Sequence, residues 1–128
     1  MGLQPKPPTM KGPADWFTGG VWIDPIVQPD GDSQLNIGAV HFHPGARTAW
    51  HSHDGGQTLY VTEGRGLVQS RGEDVVELRA GDVHVTAHGQ EHWHGGAHDH
   101  FMTHLSITRG PATWGDHVTD VEYGTPAD

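Results

Sequence analysis

Turn-forming residues interrupt this chain so often that no segment before residue 111 has room for a long helix. Many of its 19 Gly and 9 Pro stand in turn-forming clusters such as 29–32 and 54–56. Between the clusters, apolar and polar residues alternate as they do in half-buried strands. The predicted strands are Val21–Pro25, Leu35–His43, Ala49–His53, Gln57–Val61, Gly66–Ser70, Asp74–Leu78, His84–Thr86, Glu91–His94 and Phe101–Ile107. This spacing predicts an all-β fold, either a closed barrel or a double-sheet jelly roll.

The length and composition limit the architecture and the partners. A chain of 128 residues is long enough for one domain with its own core. We divide it into an extended arm (1–15), a barrel (16–110) and a tail (111–128). The formal net charge of −9, with only 7 Lys and Arg, disfavours nucleic acid binding and favours a small-molecule substrate. No cysteine and no membrane-length apolar stretch are present, so we expect a cytoplasmic protein.

Histidines are placed at the spacing of metal ligands. In a strand, residues i and i+2 share a face, so His51 and His53 can converge on one ion. Gln57 follows a glycine turn and can return its side-chain oxygen toward the same ion. A second pair, His92 and His94, offers one more imidazole if a barrel closes. A lone histidine would be an ordinary surface or core residue, but two His-x-His pairs and this Gln together predict a divalent metal site.

The same residues carry a resemblance to a known superfamily. Gly45, His51-Ser52-His53, Gln57 and Gly64 resemble the first cupin motif, with Gln in the usual place of Glu. The segment 81–92 resembles the second motif, although Ala87 replaces its proline. The resemblance implies a cupin, a single-domain jelly-roll barrel with the ion near its mouth and His92 as the fourth ligand.

A closer resemblance joins the chain to the small bacterial cupin hydroxynitrile lyases. The similar segments are 11–19, 44–51, 56–59, 92–95, 102–105 and 116–120. In that family three His and one Gln bind manganese or iron, which implies one metal per chain held by His51, His53, Gln57 and His92. We rank Mn²⁺ ahead of Fe²⁺, Ni²⁺ and Zn²⁺. The resemblance also implies that His94 and His104 are the catalytic residues.

Three functions fit this site. Neutral Gln57 leaves the ion its full charge, and a strong Lewis acid beside histidine bases suits cleavage of a cyanohydrin to an aldehyde and hydrogen cyanide. If His94 and His104 both titrate near neutrality, one can remove the hydroxyl proton while the other, protonated, stabilises departing cyanide. A metal-dependent dioxygenase ranks second, because an anionic ligand would better support an oxidised metal. A noncatalytic small-molecule-binding cupin is the third.

Further residues are candidates for the substrate pocket and for a subunit contact. Gly38, Val40 and Phe42 share one face of a strand, and with Met102 they are candidates for the substrate pocket. Each could equally be plain core. The aromatic residues Trp50, Tyr60 and Trp93 alternate with inward positions and should face outward, where they favour a sheet or subunit contact. We therefore expect a homodimer or homotetramer.

Overall fold

The chain folds into twelve strands and one short helix in a computed structural model that describes residues 2–124. The strands are β1 (Met10–Lys11), β2 (Phe17–Thr18), β3 (Val21–Val27), β4 (Leu35–Phe42), β5 (Arg47–Thr48), β6 (His51–His53), β7 (Gln57–Ser70), β8 (Val76–Arg79), β9 (Val83–Thr86), β10 (His92–Gly96), β11 (Met102–Arg109) and β12 (Ala112–Trp114). Helix α1 spans Asp120–Tyr123. The predicted all-β jelly roll is confirmed.

Strand β7 joins the two sheets of the barrel. Its first half pairs with β11 and β9 in the first sheet, and its second half pairs with β10 and β8 in the second. We predicted two strands here with a turn at Gly64, but the strand continues through a bend. Gly64 has φ +78°, and a Cβ at this position would collide with the carbonyl oxygen of Phe101. The bend therefore requires glycine.

The main core lies between the sheets and follows the predicted alternation. On β4, Val40 and Phe42 are buried, while His41 points outward and contacts Asp24 and Thr103. The cluster comprises Phe17, Val21, Val40, Phe42, Ala46, Leu59, Val61, Val68, Leu78 and Met102. Phe42 and Met102 are thus core residues.

A second apolar cluster lies on the outer side of the second sheet. It contains Trp50, Trp93, Val118 and Tyr123, and Trp93 is completely buried. We expected Trp50 and Trp93 to face outward into a sheet or subunit contact. They do face away from the cavity, but the chain's own C-terminal segment (115–124) covers them. The short helix has no periodicity long enough to reveal this packing in the sequence.

Arg47 fastens the C-terminal segment to the second sheet. Its buried guanidinium donates to the carbonyl of Val118 and to Asp120, with Nη2 distances of 2.8 Å to both oxygens. It also lies 4.6 Å from the ring centroid of Tyr123, whose hydroxyl donates to the carbonyl of Gly96 at 2.6 Å. The segment is therefore integrated with the barrel.

The predicted segment boundaries need two adjustments. Residues 10–11 of the arm form β1 and pair with β3. Residues 112–114 of the tail form β12, which pairs with β6 and so extends the barrel beyond residue 110. Met1 of the predicted arm and residues 125–128 of the predicted tail lie outside the described residues. Within 2–124, no helix has the length and apolar character needed to cross a bilayer.

Candidate metal centre and active-site pocket

Three histidines from two paired strands converge inside the barrel. His51 and His53 alternate with outward Ser52 on β6, and His92 on β10 stands opposite His51 in the antiparallel register. One ring nitrogen from each of the three lies within 4.8 Å of the other two. All three rings are buried. The group could hold a metal ion, since neutral imidazoles at this spacing are common ligands of divalent metals.

Backbone carbonyls fix the orientation of two of these rings. His51 Nδ1 donates to the Ala49 carbonyl at 2.9 Å, and His92 Nδ1 donates to the Gln90 carbonyl at 3.0 Å. A carbonyl can only accept, so each Nδ1 carries the proton and each Nε2 keeps its lone pair. This is the arrangement that orients histidine ligands in metal sites.

Gln57 presents its amide oxygen to the same group. Its Nε2 donates to Ser106 Oγ at 2.8 Å, while its Oε1 lies 2.6 Å from His92 Nε2. With Nδ1 of neutral His92 already donating, this Nε2 is an acceptor facing another acceptor. Two acceptors this close repel unless a cation lies beside them both. The donor set therefore fits a bound cation.

Burial keeps the three rings neutral. Desolvation lowers the pKa of His51 well below its usual 6.5 and that of His53 to about 4, and in both cases the nearby His92 adds to the effect. Burial also lowers the pKa of His92. His53 Nε2 is buried and has no hydrogen-bond partner. Neutral rings with an unpartnered nitrogen again fit a metal ion.

The two predicted catalytic histidines form a hydrogen-bonded pair. They lie behind His51, His53 and His92, which we call the metal group. His104 Nε2 lies 2.9 Å from His94 Nδ1, so one of these atoms donates to the other. The edge of Phe42 packs near both rings, with centroids 5.8 Å from His94 and 5.3 Å from His104. His94 Nε2 is buried without a partner and its ring lines the cavity. His104 is fully buried behind it.

The electrostatics of this pair differ from our expectation. We considered that both rings titrate near neutrality, so that one would be protonated. Burial instead lowers the pKa of His104 to about 4 and that of His94 well below 6.5, and the neighbouring His104 adds to the shift at His94. Both rings are neutral near pH 7, and His94 Nε2 can accept a proton in the tautomer in which His94 Nδ1 donates to His104 Nε2.

The cavity beside these histidines is small and largely apolar. Its volume is about 140 Å³, close to the roughly 150 Å³ of an apolar cavity that holds one benzene ring. Of the predicted pocket residues, Gly38 and Val40 line it. Phe42 and Met102 do not line it; both belong to the buried core, where Phe42 packs against His94 and His104. The lining residues are Phe17, Ile23, Gly38, Val40, Thr48, His51, His53, Gln57, His94, Ser106 and Trp114.

Several lining residues escaped the sequence analysis. Ser106 shares a face with His104 on β11, so strand alternation could have identified it. Trp114 could not be found this way because it belongs to the segment read as a tail. Its ring stacks on His51 with centroids 4.6 Å apart and on Trp16 with centroids 5.0 Å apart. This aromatic stack forms one wall at the metal group.

Comparison with known proteins gives the family of this chain. The model of the cupin domain family matches residues 38–107, a range that contains all three histidines of the metal group together with Gln57, His94 and His104. The chain is 50% identical over 117 residues to a Granulicella tundricola protein named (R)-mandelonitrile lyase, covering 88% of this chain and 89% of the relative.

Solved structures give the same fold. A cupin-like protein from Thermotoga maritima is 44% identical, with a TM-score of 0.86 over 88% of this chain and 89% of that one. A protein from Methylibium petroleiphilum described as a putative acetylacetone dioxygenase is 17% identical, with a TM-score of 0.69 over 85% of this chain and 75% of that one. At that identity the likeness concerns the fold alone.

Proposed function

This chain belongs to the cupin domain family, and we propose that it is a metal-dependent hydroxynitrile lyase. It cleaves cyanohydrins such as mandelonitrile reversibly to an aldehyde and hydrogen cyanide. The observation that carries the choice of reaction is the 50% identity, over 88% of the chain, to a protein named (R)-mandelonitrile lyase. The buried histidine pair beside the metal group supports it, because the reaction needs a base next to the substrate hydroxyl.

His51, His53 and His92 would hold the ion through their Nε2 atoms, and Gln57 would add its amide oxygen. We propose Mn²⁺ as the ion, with Fe²⁺, Ni²⁺ and Zn²⁺ as alternatives that accept the same ligands. When bound, the ion supplies Lewis-acid polarisation to an oxygen-containing substrate. Gln57 adds no negative charge that would weaken this effect.

His94 is the group that moves the proton. The neutral ring lines the cavity, and its Nε2, which has no hydrogen-bond partner within the described residues, can accept the proton of the cyanohydrin hydroxyl. As the carbon–carbon bond breaks, its electron pair leaves with cyanide and the carbonyl of the aldehyde forms. The proton then passes from His94 Nε2 to cyanide, giving hydrogen cyanide and restoring the neutral ring. No other reactant is consumed.

His104 acts on the substrate through His94. When His94 Nδ1 carries its proton and donates to His104 Nε2, the lone pair of His94 is at its unpartnered Nε2. A positive charge that develops on His94 is then stabilised by His104 as acceptor. The apolar walls of Phe17, Ile23 and Val40 exclude water and fit a substrate with one aromatic ring.

The test is an anaerobic cleavage assay on protein loaded with Mn²⁺. We expect benzaldehyde to form from mandelonitrile without oxygen, and chelation of the metal to stop it. His94→Ala should lower kcat/KM by about a hundredfold or more at unchanged metal content. His43→Ala, which removes an exposed histidine, is the matched control and should retain full activity.

Two results would contradict the proposal. Fully loaded protein that leaves mandelonitrile intact while consuming oxygen with a small organic substrate would assign the chain to the dioxygenases. Cleavage that is unchanged in His94→Ala would remove this residue from the reaction.

A further inference from the structure

Two hydroxyl groups line the cavity, and the proton of each has no acceptor within residues 2–124. Thr48 Oγ1 accepts from the backbone N–H of His94 at 3.2 Å, and Ser106 Oγ accepts from Gln57 Nε2 at 2.8 Å. A hydroxyl that accepts one hydrogen bond can still donate another. Each of these side chains therefore offers one donor to a molecule in the cavity, and the reaction described above uses neither.

Thr48 is the more deeply buried of the two. It is only 1% exposed, and its partner across the sheet is the aromatic residue Phe17. A hydrogen bond made in such surroundings is stronger than the same bond in water, and a buried polar group that lacks a partner costs stability. The Thr48 hydroxyl is thus suited to bind an acceptor atom of a ligand.

The pairing of β5 fixes the position of this hydroxyl. Successive strand residues point to opposite faces: Arg47 binds the C-terminal segment on the outside, so Thr48 faces the cavity. Gly95 of β10 lies opposite Arg47, and a Cβ at Gly95 would collide with the carbonyl oxygen of Ala46. Glycine is therefore required for β5 to approach β10 so closely, and this approach brings Thr48 Oγ1 to the backbone of His94.

The nitrile end of a cyanohydrin meets no cationic side chain in this cavity. Among the described residues that line it there is no lysine or arginine. When the carbon–carbon bond breaks, its electron pair moves onto cyanide together with the negative charge. Fixed donors directed at a developing charge are among the strongest contributions to catalysis. A neutral donor close to His94 would supply this stabilisation.

The path of the proton favours Thr48 over Ser106 for this role. In the proposed reaction His94 passes a proton to cyanide, so cyanide must lie within reach of the His94 ring. Thr48 is in the same sheet as His94 and is hydrogen-bonded to it. Ser106 is in the first sheet and is bonded to Gln57, beside the substrate hydroxyl rather than the nitrile.

We propose that Thr48 is a catalytic residue whose hydroxyl donates a hydrogen bond to the nitrile nitrogen and stabilises cyanide as it leaves. This inference rests on the proposed function. The nitrile nitrogen accepts weakly in the neutral substrate and strongly once it carries charge. The contribution of Thr48 is therefore larger in the transition state than in the bound substrate, and it should appear mainly in kcat.

The first test is anaerobic cleavage of mandelonitrile by the metal-loaded full-length chain. Thr48→Val removes the hydroxyl with little change of shape, and kcat should fall by about a hundredfold at unchanged metal content. Thr48→Ser keeps the hydroxyl and should restore most of the activity. Thr113→Val is the matched control, because Thr113 is an exposed threonine on β12, and its kcat should equal that of the parent.

Two unreactive ligands separate donation to the nitrile from a structural role, since Thr48→Val also removes the acceptor of the His94 N–H. Phenylacetonitrile has the ring and the nitrile but no hydroxyl, whereas benzyl alcohol has the ring and the hydroxyl but no nitrile. In Thr48→Val the inhibition constant of phenylacetonitrile should rise by roughly tenfold, and that of benzyl alcohol should stay unchanged. Equal weakening of both ligands would show a structural role and overturn the proposal.

The remaining outcomes distinguish this inference from the proposed function. A parent that cleaves mandelonitrile, with a Thr48→Val variant that is equally fast, would overturn the role of Thr48 alone. A Thr48→Ser variant as slow as Thr48→Val would do the same, because the hydroxyl would then not be the group that matters. A parent that leaves mandelonitrile intact would overturn the proposed function, and the inference with it.

Discussion

The buried residues on the two sides of strand β10 differ in polarity and in whether their polar atoms are hydrogen-bonded. On the inner side, His92 and His94 are buried as neutral imidazoles, and His94 Nε2 has no hydrogen-bond partner. On the outer side, Trp93 is equally buried but fully satisfied: its ring packs against Tyr123 and its Nε1 donates to Gln69 at 2.9 Å. One strand therefore carries a polar site and an apolar anchor on alternate residues.

The two sides of β10 contribute differently to the stability of the fold. Buried polar groups without partners cost stability, so the inner side is destabilising when no ligand is bound. The outer cluster and the Arg47 contacts supply the compensating packing. The C-terminal segment is then the support that lets β10 hold its histidines in place. Substitutions on the inner and the outer side of β10 can test this difference.

The largest expected effect is acid destabilisation of the metal-free protein, which tests the inner side. His53 and His104 have a pKa of about 4 when folded and an ordinary value of 6.5. Between these values the unfolded chain binds more protons, so the free energy of unfolding falls as pH falls. For the two residues the loss amounts to roughly 5 kcal/mol between pH 7 and pH 4.5. Urea unfolding at about pH 7 and about pH 4.5 measures this loss.

His104→Gln should reduce that loss by about half. His43→Gln, at an exposed histidine, is the matched control. Stability that is flat across this pH range would show that the inner rings are not held neutral.

The next largest effect should come from the outer side. Trp93→Ala removes the centre of the outer cluster, and we expect a loss of roughly 3–5 kcal/mol in unfolding free energy. The folded fraction should still bind one metal ion, because the substituted side chain points away from the cavity. Urea titration and metal analysis give the two readouts. Phe101→Ala, at a 42% exposed aromatic residue, is the control and should cost less than about 1 kcal/mol. A similarly small loss at Trp93 would contradict the supporting role.

The smallest effect sharpens the comparison within the inner side. Ser106→Ala removes the group that holds the Gln57 amide, and we expect metal affinity to fall by about tenfold. Competition with a chelator measures this change. Ser52→Ala is the matched control, since Ser52 lies between His51 and His53 but points outward. An unchanged affinity in Ser106→Ala would show that Gln57 is oriented without Ser106.

Most of the residues that face the inside of the barrel could be predicted from local sequence. Strand alternation places His51 and His53 on one face, and the same rule places Val40 and Phe42 inward. The resemblance to cupin motifs then selects His92 over His94 as the expected ligand. The structure brings His51, His53 and His92 together and orients the Gln57 oxygen toward them. The role of these four as ligands remains a prediction that metal binding must test.

The cover over Trp93 and the walls of the cavity could not be predicted, because they depend on packing between distant segments. Alternation shows that Trp93 faces away from the barrel, but it cannot show that Val118 and Tyr123 cover it. In the same way, Phe42 and Met102 point inward as expected, yet depth within the barrel makes them core residues. Trp114 reaches the cavity because β12 pairs with β6, a contact between distant segments that no local pattern encodes.

Those distant pairings also set an order of events during folding. Arg47 binds a carbonyl 71 positions further along the chain, and β12 flanks the strand that carries His51 and His53. As the polypeptide is synthesised, the first histidine pair emerges long before the segments that complete its surroundings. Closing such long loops is slow. We therefore expect the histidine group to be assembled late, with β6 exposed in a nascent chain until residues 112–123 have been synthesised.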